Sequence, residues 1–574
     1  MKNREIARVL RLLALYLRMD GVSFKPQALE RAADGIEAFS GDIGVLYGKE
    51  GIKGLEAIPG VGRGIAQKAE EYLAAGRVKD LEDYKQKIGM DVEEITRVEG
   101  IGPKMAKELW VKLKIKNLKE LEAAARAGKV RALPGFGEKK ESNILDGIAF
   151  LNRSRGRLSL GVAYPFAKEC ERIFKESGLV DNVVAAGSVR RMKETIGDVD
   201  LLVSSNNPKA VMEFALQSIP HEKVWGAGET KTSMRSAWGF DIDIRVVKKD
   251  AFGAALQYFT GSKEHNVKLR ARAMQLGYKL SEYGLFRGEK LIASRTEEDI
   301  YRALGLRYIE PEMREDAGEI EAAAQGVLPA PIGYGDLRGD LQTQTDWTDG
   351  EDSIETMALE AKKAGLEYIA ITDHTQDLAM TRGSDEKRLL RQMAEIDTLN
   401  KKISGFRVLK GAEVNIRKDG SLDIQDEVLA QLDVVGVSVH SLFRMTSKDM
   451  TERISRAMRN PFVDILFHPT GRLVLKRDAY QVDMAEIIRV AKETGTILEI
   501  NAFPERLDLK DTHIRQAVDA GVKMAIDSDA HQKGHFEVLR YGIGQAKRGW
   551  ARKQDIINTK DVAECLASLK KSPE

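Results

Sequence analysis

The stretch GDVDLLV, residues 197–203, predicts a β-strand with one acidic and one apolar face. Asp198 and Asp200 are two positions apart, and because side chains alternate along a strand, both project from the same face. A second predicted strand, FDIDIR at residues 240–245, can bring Asp243 beside them. Aspartate is disfavoured in strands, so three carboxylates gathered on one face need a compensating cation.

Three such carboxylates suit a pair of Mg²⁺ ions, which activate an attacking hydroxyl and neutralise a triphosphate leaving group. The alternative interpretation, aspartates that are merely solvated, stays open for Asp241 but explains the full set poorly. Further strand-like runs such as VVAAGS lie among helices between about 158 and 318. The middle of the chain is therefore predicted to be an α+β catalytic region.

Length, charge and cysteine content limit the possible classes of protein. At 574 residues the chain is too long for one core, so several domains are expected. Its 90 basic and 88 acidic residues nearly balance, so binding to nucleic acid has to come from local patches. Cys170 and Cys565 are far apart and lack metal spacing, which is typical of a reducing compartment. Charges interrupt residues 1–21, which predict an amphipathic helix and not a signal peptide or membrane span. We expect a soluble cytoplasmic protein with no membrane partner.

Residues 1 to about 150 predict short helices and contain an internal repeat. IPGVG at 58–62, VEGIG at 98–102 and LPGFG at 133–137 each combine an apolar residue, a turn residue and Gly-x-Gly, and each precedes a helix that carries Lys or Arg. Such a turn leaves backbone N–H groups pointing outward at a helix N-terminus, where phosphate binds. One copy alone could be a plain helix–helix turn, but three copies favour binding to the DNA backbone. The residues predicted to bind DNA are Gly60, Gly62, Gly100, Gly102, Lys104, Gly135 and Gly137.

The last third of the chain follows a stretch with prolines and glycines, EIEAAAQGVLPAPIGYG, that predicts a linker. Seven strand-like runs then alternate with helices: GDLQTQT, YIAITDHT, RVLKGAEVNI, DVVGVSVHS, VDILFHPTG, ILEINAF and VKMAIDSDAH. Nearly all end in a polar or metal-binding residue, which is the pattern of a (β/α) barrel with its function at the C-terminal ends of the strands.

Four of the eight histidines fall at these strand ends, beside three carboxylates. Any one histidine could be a satisfied core residue, but the set favours a multinuclear site for Zn²⁺ or Mn²⁺. The predicted ligands are Asp349, His374, Glu413, His440, His468, Asp529 and His531.

The GS…GDVD pairing, the IDIR strand and the three Gly-x-Gly turns together resemble the family-X DNA polymerases, the group of DNA polymerase beta. YFTGS at 258–262 and HNVKLR at 265–270 are similar to the nucleotide-binding thumb of that family. The resemblance implies that Asp198, Asp200 and Asp243 bind Mg²⁺ or Mn²⁺, and that Asp243 activates the primer 3′-hydroxyl.

The same resemblance implies a set of substrate contacts. These are Gly187, Ser188 and Arg191 for the triphosphate, Tyr258 and Phe259 for the sugar with Gly261 beside them, Asn266 for the incoming base and Arg270 for the template strand. The animal enzymes place a further phosphate-binding arginine where this chain has YPFA at 164–167, so other groups have to supply that affinity. Lys68 aligns with the amine that forms a Schiff base with an abasic sugar in relatives with lyase activity. The alternative is a surface lysine that contacts phosphate.

The predicted barrel resembles the polymerase and histidinol phosphatase (PHP) family, whose first strand usually carries Asp-x-His-x-His. In this chain Gln342 and Gln344 occupy the two imidazole positions, and an amide oxygen is a weak ligand for Zn²⁺. By resemblance the family site holds up to three metals. The first is held by that pair with Glu413 and Asp529, the second by Glu413, His440 and His468, and the third by Asp349, His374 and His531. Only the first set is damaged, so we expect one or two Zn²⁺ or Mn²⁺ ions and weak or absent 3′–5′ exonuclease activity.

Together the two halves resemble a bacterial or archaeal family-X polymerase with a C-terminal PHP domain. This implies a monomer that fills short gaps in DNA with dNTPs during base-excision repair. One alternative is a template-independent nucleotidyltransferase. A second is a PHP-type nuclease or phosphatase that uses its N-terminal half as a DNA-binding module. A third is a non-catalytic DNA-repair scaffold in which both metal sites are inactive.

The predicted fold is multidomain α+β. Its predicted domains are a helical lyase-like domain with the first hairpin at 1–82, a fingers-like DNA-binding region with two hairpins at 83–157, a nucleotidyltransferase palm at 158–247, a thumb at 248–318, a linker at 319–332 and a PHP (β/α)7 barrel at 333–574.

Overall fold

The structure of the protein is a computed structural model that describes residues 2–39, 41–98, 100–154 and 156–570. The chain divides into two compact units, residues 1–155 and residues 156–574. Glu99, in the second predicted hairpin, lies outside the described residues.

The first unit is helical, as predicted. Its apolar helix faces share one core, to which Leu10 of the first helix and Leu109 of the seventh belong. The third helix is kinked at Gly51. The helices are α1 (Lys2–Asp20), α2 (Lys25–Ala38), α3 (Ile43–Glu56), α4 (Arg63–Ala75), α5 (Lys79–Ile88), α6 (Val92–Thr96), α7 (Pro103–Leu113), α8 (Leu118–Arg126) and α9 (Gly137–Ser154).

The second unit begins with a mixed sheet of five strands, called the palm sheet below. Its elements are β1 (Leu158–Ser159), α10 (Leu160–Glu176), β2 (Asn182–Ala185), α11 (Gly187–Arg190), β3 (Thr195–Ile196), β4 (Asp198–Ser204), α12 (Pro208–Ser218), β5 (His221–Ala227), β6 (Lys231–Ser236) and β7 (Asp241–Val247). The palm sheet has the order β2-β4-β7-β6-β5, and β1 pairs with β3 outside it. Strands β4 and β7 run parallel, and the other neighbours are antiparallel.

The thumb follows the palm sheet. It consists of α13 (Phe252–Thr260), α14 (Lys263–Gln275), β8 (Lys279–Ser281), β9 (Gly284–Arg287), β10 (Lys290–Ala293) and α15 (Glu297–Ala303). A buried ion network joins it to α11, because Glu297 lies 2.6 Å from Arg190 and 2.5 Å from Arg314. These arginines, against the opposing effect of burial, hold the pKa of Glu297 down at about 2.

The predicted linker at 319–332 begins with a helix, α16 (Glu319–Ala324). Ile320 and Ala323 of this helix belong to the hydrophobic core of the thumb. Glu319 accepts a hydrogen bond from buried His265 at 2.6 Å. The first part of the expected linker is therefore packed structure, since its alanines and isoleucine form an apolar helix face.

The predicted (β/α) barrel is confirmed. Its seven parallel strands are β11 (Gly339–Thr343), β12 (Tyr368–Ile371), β13 (Arg407–Asn415), β14 (Val434–Ser438), β15 (Ile465–Leu466), β16 (Ile497–Asn501) and β17 (Met524–Asp527). The accompanying helices are α17 (Ile354–Lys363), α18 (Glu386–Asn400), α19 (Asp426–Leu429), α20 (Ser447–Met458), α21 (Met484–Thr494), α22 (Asp511–Ala520), α23 (Leu539–Arg548) and α24 (Val562–Leu566). The backbone N–H of Gln344 donates to the carbonyl of Ala530 at 2.7 Å, which closes the sheet from β11 to β17.

Two hydrophobic cores stabilise the barrel. One lies between the sheet and the surrounding helices, and the other fills the interior, where Leu341 and Phe467 meet Cys565 of α24. Val474 and Leu507, both from barrel loops, belong to the core of the palm sheet. Palm and barrel are therefore packed against each other within the second unit. No helix in the described ranges is long and apolar enough to cross a membrane.

Candidate functional site

Two parallel strands bring the predicted catalytic aspartates together. In the register of β4 and β7, Asp200 lies beside Asp243, and Asp198 lies beside Asp241. Desolvation, followed by the charges of Asp198 and Asp243, raises the pKa of Asp200 to about 7. Desolvation and Asp243 also raise the pKa of Asp198. Carboxylates crowded in this way are stabilised by a bound cation, so these residues fit divalent metal ions.

Asp241, which lies on the same strand, has other partners. Its carboxylate accepts a hydrogen bond from the indole N–H of Trp225 at 3.1 Å and lies 2.9 Å from Nε of Arg235. Its charge is thus balanced on the palm sheet without a metal ion.

Gly187 allows the backbone to pass directly against the aspartates. It opens α11 with a φ of +57°, and a Cβ added there would lie only 2.1 Å from Oδ2 of Asp200. The backbone N–H of Ala186 also donates to the carbonyl of Asp200 at 2.8 Å. Ser188, the next residue of α11, is half-buried beside this close approach.

Arg191 connects this segment to the thumb. Its Nε donates to Glu315 at 2.9 Å, and its NH1 donates to the carbonyl of Thr260. A Cβ on Gly261 would lie 3.1 Å from Arg191 NH1, so Gly261 lies directly against this guanidinium. The charge of Arg191 also opposes the rise in the pKa of Asp200, which places it close to the aspartates.

The other predicted substrate contacts lie on α13 and α14. The rings of Tyr258 and Phe259 are half-buried and meet edge to face, with centroids 5.1 Å apart. Asn266 is buried, and its amide donates to the carbonyl of Tyr258 at 2.7 Å and accepts from Gln257 at 2.7 Å. Arg270 is half-buried further along α14. The predicted base contact, Asn266, is thus held by internal hydrogen bonds in this structure.

Sequence reasoning missed Lys231 of β6. Its ammonium lies 3.1 Å from Oδ2 of Asp243. Both residues line a small cavity of about 40 Å³ together with Asp200 and Phe259. Only the pairing of β6 with β7 brings Lys231 there, and no local spacing in the sequence signals that pairing.

The Gly-x-Gly turns lie on the surface of the first unit. All six of their glycines are exposed. Gly62 and Gly102 are extended and directly precede α4 and α7. The first residue of α7 is Pro103, which has no N–H, so the free backbone N–H groups of that helix begin at Lys104. Lys104, also exposed, lies in the first turn of α7. These two turns present the backbone geometry that binds phosphate.

The third turn differs from the first two. Gly137 has a φ of +66° and is itself the first residue of α9. Lys140 folds back and donates to the carbonyl of Gly135 at 2.5 Å. This lysine is thus engaged with its own turn.

Lys68 lies on α4, downstream of the first turn. Its ammonium forms an ion pair with the carboxylate of Asp80. That hydrogen bond is the largest cause of the lowered pKa of Asp80. The amine of Lys68 is therefore engaged with Asp80 in this structure.

Glu413 is the centre of the barrel site, near the end of β13. Its buried carboxylate accepts hydrogen bonds from His468 Nε2 at 2.8 Å and Ser438 Oγ at 2.7 Å, and lies 3.1 Å from His440 Nε2. Burial opposes ionisation, but the imidazoles of His374 and His440 hold the pKa of Glu413 well below its usual range.

Asp349 organises a second group at the same end of the barrel. Its carboxylate lies 3.6 Å from His374 Nε2 and 3.7 Å from His531 Nε2. Burial opposes protonation of His531, but the carboxylates of Asp349 and Asp529 raise its pKa to about 9. Ligand atoms of Asp349, His374 and His531 all lie within 4.8 Å of one another, and the same holds for His374, Glu413 and His440. The donor types and distances of both groups fit a bound transition metal, and His374 belongs to both.

Gln342 and Gln344, at the two predicted imidazole positions, are fully buried in the barrel mouth. Gln344 Nε2 donates to Glu413 at 2.9 Å, and Gln342 Oε1 accepts from Asn501 at 3.1 Å. Gln342 Nε2 and Gln344 Oε1 are buried without a hydrogen-bond partner among the described residues. The side-chain amides of Gln342 and Gln344 thus occupy the positions predicted for two ligands of the first metal ion.

Asp529, the other carboxylate of that set, is bound to an arginine. Its Oδ2 accepts hydrogen bonds from Arg506 Nε at 3.1 Å and from Asn501 Nδ2 at 3.2 Å. Sequence reasoning missed Arg506, which lies in the loop after β16. The one available signal was its place just beyond the C-terminal end of a barrel strand, where functional side chains gather.

Known protein families match three parts of the chain. Residues 1–78 match a helix-hairpin-helix domain, residues 91–149 a SAM-like helix-hairpin-helix tandem, and residues 255–315 a DNA polymerase beta thumb. The first two matches include all three Gly-x-Gly turns, and the third includes the stretch YFTGS.

Whole proteins are also similar. The DNA polymerase/3′-5′ exonuclease PolX of Bacillus subtilis (strain 168) is 33% identical over 577 residues, which cover 100% of both chains. DNA polymerase lambda of Rattus norvegicus is 26% identical over 355 residues, 54% of this chain and 56% of that protein. A "probable phosphatase" of Thermoanaerobacter sp. (strain X514) is 32% identical over 230 residues, 38% of this chain and 88% of that protein.

Proposed function

Since this chain belongs to the family-X DNA polymerases that carry a C-terminal PHP region, we propose that it fills short gaps in DNA during base-excision repair. Its substrates are then gapped or primer–template DNA and dNTPs. The observation that carries this proposal is the alignment of Asp200 with Asp243 on neighbouring parallel strands, with Asp198 two residues before. This constellation supplies three carboxylates on one face, as two-metal nucleotidyl transfer requires.

The three aspartates are the proposed ligands of Mg²⁺ or Mn²⁺, which would activate the primer 3′-hydroxyl and neutralise the leaving diphosphate. The chain's own residues orient the reactants. Asp243 accepts the proton of the 3′-hydroxyl. Gly187 allows the backbone to approach the triphosphate closely. Arg191 binds the negatively charged phosphates from the side of the thumb.

Replacing Asp243 tests the polymerase function directly. Asp243→Ala should abolish nucleotide incorporation in a gap-filling assay and leave DNA binding largely intact, because the Gly-x-Gly turns are untouched. Asp241→Asn is the matched control: it lies on the same strand, is paired with Arg235, and should incorporate normally. Wild-type rates in Asp243→Ala would reject the assignment and favour a nuclease or phosphatase that uses its N-terminal half only to hold DNA.

The Gly-x-Gly turns are the proposed contacts to the DNA backbone. The exposed N-termini of α4 and α7 support this, because aligned backbone N–H groups attract phosphate regardless of sequence. Binding should therefore weaken steeply with salt and discriminate little between DNA sequences. A fluorescence titration of gapped DNA at several salt concentrations measures both properties.

The barrel is proposed to bind one or two Zn²⁺ or Mn²⁺ ions and to have weak or no 3′–5′ exonuclease activity. The support comes from the first metal set. Gln344 donates an N–H to Glu413, and the guanidinium of Arg506 already neutralises Asp529. An amide and a fixed cation together disfavour a third metal ion at this position.

Metal content and nuclease activity of the full-length protein test this second proposal together. We expect at most two tightly bound ions and weak Mn²⁺-dependent exonuclease activity. The double variant Gln342→His/Gln344→His should raise both. Three tightly bound ions, or strong exonuclease activity that His440→Ala abolishes, would contradict the proposal.

A further inference from the structure

The segment of residues 191–194, called the triphosphate loop below, connects α11 to β3. It begins with Arg191, a proposed triphosphate ligand, and is followed by β3 and then by β4, which carries Asp198 and Asp200. Although the loop belongs to the palm, side chains of the barrel form hydrogen bonds and ion pairs that hold it in place.

Two side chains at the end of barrel helix α23 donate hydrogen bonds to the backbone of this loop. Arg548 NH1 donates to the carbonyl of Arg191 at 2.9 Å, and Gln545 Nε2 donates to the carbonyl of Met192 at 2.8 Å. Met192 is buried, with a φ of +51°, and a Cβ on Gly544 would lie 2.9 Å from its side chain. Helix and loop are therefore in close contact, and two successive loop carbonyls depend on barrel donors.

A shared carboxylate also joins the two arginine side chains. Oε1 of Glu315 lies 2.9 Å from Arg548 NH1 and 2.9 Å from Arg191 Nε, and Oε2 lies 3.4 Å from Lys193. Arg548 also pairs with Asp511 of α22, and its side chain is only 2% exposed. Two carboxylates thus face three cations inside this contact, and the position of Arg191 depends on how Glu315 is shared among them.

We propose that Arg548, a residue of the barrel, is a positioning residue for nucleotide binding by the polymerase, acting through Glu315 and Arg191. This inference rests on the proposed polymerase function. Without Arg548, Glu315 loses its second partner and holds Arg191 more strongly, away from the triphosphate. Two carboxylates then face only two cations, so the net positive charge of this contact, which would attract the phosphates, is lost. Finally, the Arg191 carbonyl loses its donor, so the loop becomes less ordered.

The first test measures single-nucleotide incorporation by full-length Arg548→Ala. We expect the KM for dNTP to rise about tenfold or more, the range for loss of a charge-assisted hydrogen bond, with a much smaller change in kcat and in affinity for gapped DNA. Arg453→Ala is the matched control, because Arg453 is also a buried barrel arginine and donates to the carbonyls of Ile416 and Ser441, within the barrel. It should leave the KM for dNTP unchanged. Equal effects of the two variants would show a general loss of barrel stability and overturn the inference.

A double-variant cycle tests whether Arg548 acts through Arg191. Arg191→Ala should raise the KM for dNTP by itself, and adding Arg548→Ala should then have little further effect, because coupled residues are not additive. Fully additive effects would overturn the inference. If Arg548→Ala gives too little folded protein, Gln545→Ala removes the neighbouring hydrogen bond and should shift KM in the same direction by a smaller factor. An unchanged KM in that variant would count equally against the inference.

Hydrogen exchange separates this inference from the proposed function, because it does not need an active polymerase. Amides of residues 187–194 should exchange faster in Arg548→Ala than in the wild type, and should not do so in Arg453→Ala. Unchanged exchange would overturn the inference even if the wild type incorporates nucleotides. A wild type that incorporates none would refute the polymerase function, and the exchange result would still decide the role of Arg548.

Discussion

Replacing Gly187 by alanine should separate the geometry of the polymerase site from the stability of the fold. The new Cβ would lie 2.1 Å from Asp200 Oδ2, whereas ordinary contact begins at 3.4 Å, so the two atoms have to separate by about 1.3 Å. A misplacement of roughly 1 Å in a reacting constellation costs about 100-fold in rate. We therefore expect kcat/KM for nucleotide incorporation to fall by about two orders of magnitude in Gly187→Ala.

The matched control is Gly178→Ala. Gly178 has a similar backbone conformation, with a φ of +68° against +57°, but no atom lies within 4 Å of its added Cβ. Both variants should lose roughly 1–2 kcal/mol of unfolding free energy from the left-handed conformation, and Gly187→Ala should lose somewhat more because its Cβ displaces Asp200. Only Gly187→Ala should lose activity.

Single-nucleotide gap filling under multiple-turnover conditions measures kcat/KM, and thermal unfolding of the same preparations measures stability. Normal incorporation by Gly187→Ala would refute the reasoning, because the close approach would then be unimportant for Asp200. An equal loss of activity in Gly178→Ala would attribute the effect to backbone strain and not to the aspartate.

Three further outcomes are expected. His374→Ala should remove metal from both barrel groups and His531→Ala from only one, as measured by elemental analysis of full-length protein. Glu297 has a folded pKa of about 2 against 4.5 when unfolded, so its ionised form stabilises the fold by about 3 kcal/mol. This contribution is complete above pH 4.5 and is lost as the pH falls towards 2. Glu297→Gln should flatten this acid dependence in unfolding curves. Borohydride should trap little covalent complex between the wild type and nicked abasic DNA, because the side chain of Lys68 is engaged in an ion pair with Asp80. Strong trapping that Lys68→Ala abolishes would instead establish a lyase role.

The fold was largely predictable because its signals are local. Each of the seven barrel runs contains a parallel strand, since a short apolar run that ends in polar residues is typical of a strand buried between helices. The spacing of Asp198 and Asp200 on one strand likewise required only the two-residue period. The helix at 319–324 was missed because nearby prolines and glycines gave that segment the composition of a linker.

The unpredicted parts of the site depend on contacts between distant segments. Lys231 reaches Asp243 only through strand pairing, Arg506 reaches Asp529 from the loop of a different strand, and Arg548 reaches Arg191 across 357 residues. Nothing near Lys231 or Arg548 in the chain marks them, and the only signal for Arg506 is its place just beyond the end of a barrel strand. Their roles come from charge balance inside the folded molecule, which a sequence pattern does not contain.

The closing contact of the barrel has a consequence for the order in which the protein becomes functional on the ribosome. The backbone N–H of Leu341 donates to Asp527, 186 residues later, so at about 5–20 residues per second the first strand waits on the order of 10–40 s for its last neighbour. The hydrogen bonds from α23 to the triphosphate loop form later than this closing contact, because α23 follows β17 in the chain. The palm and thumb segments are therefore synthesised well before the contact that positions Arg191 can form. On the proposal above, the nucleotide site is fully organised only after the barrel segment that carries Arg548 has been synthesised.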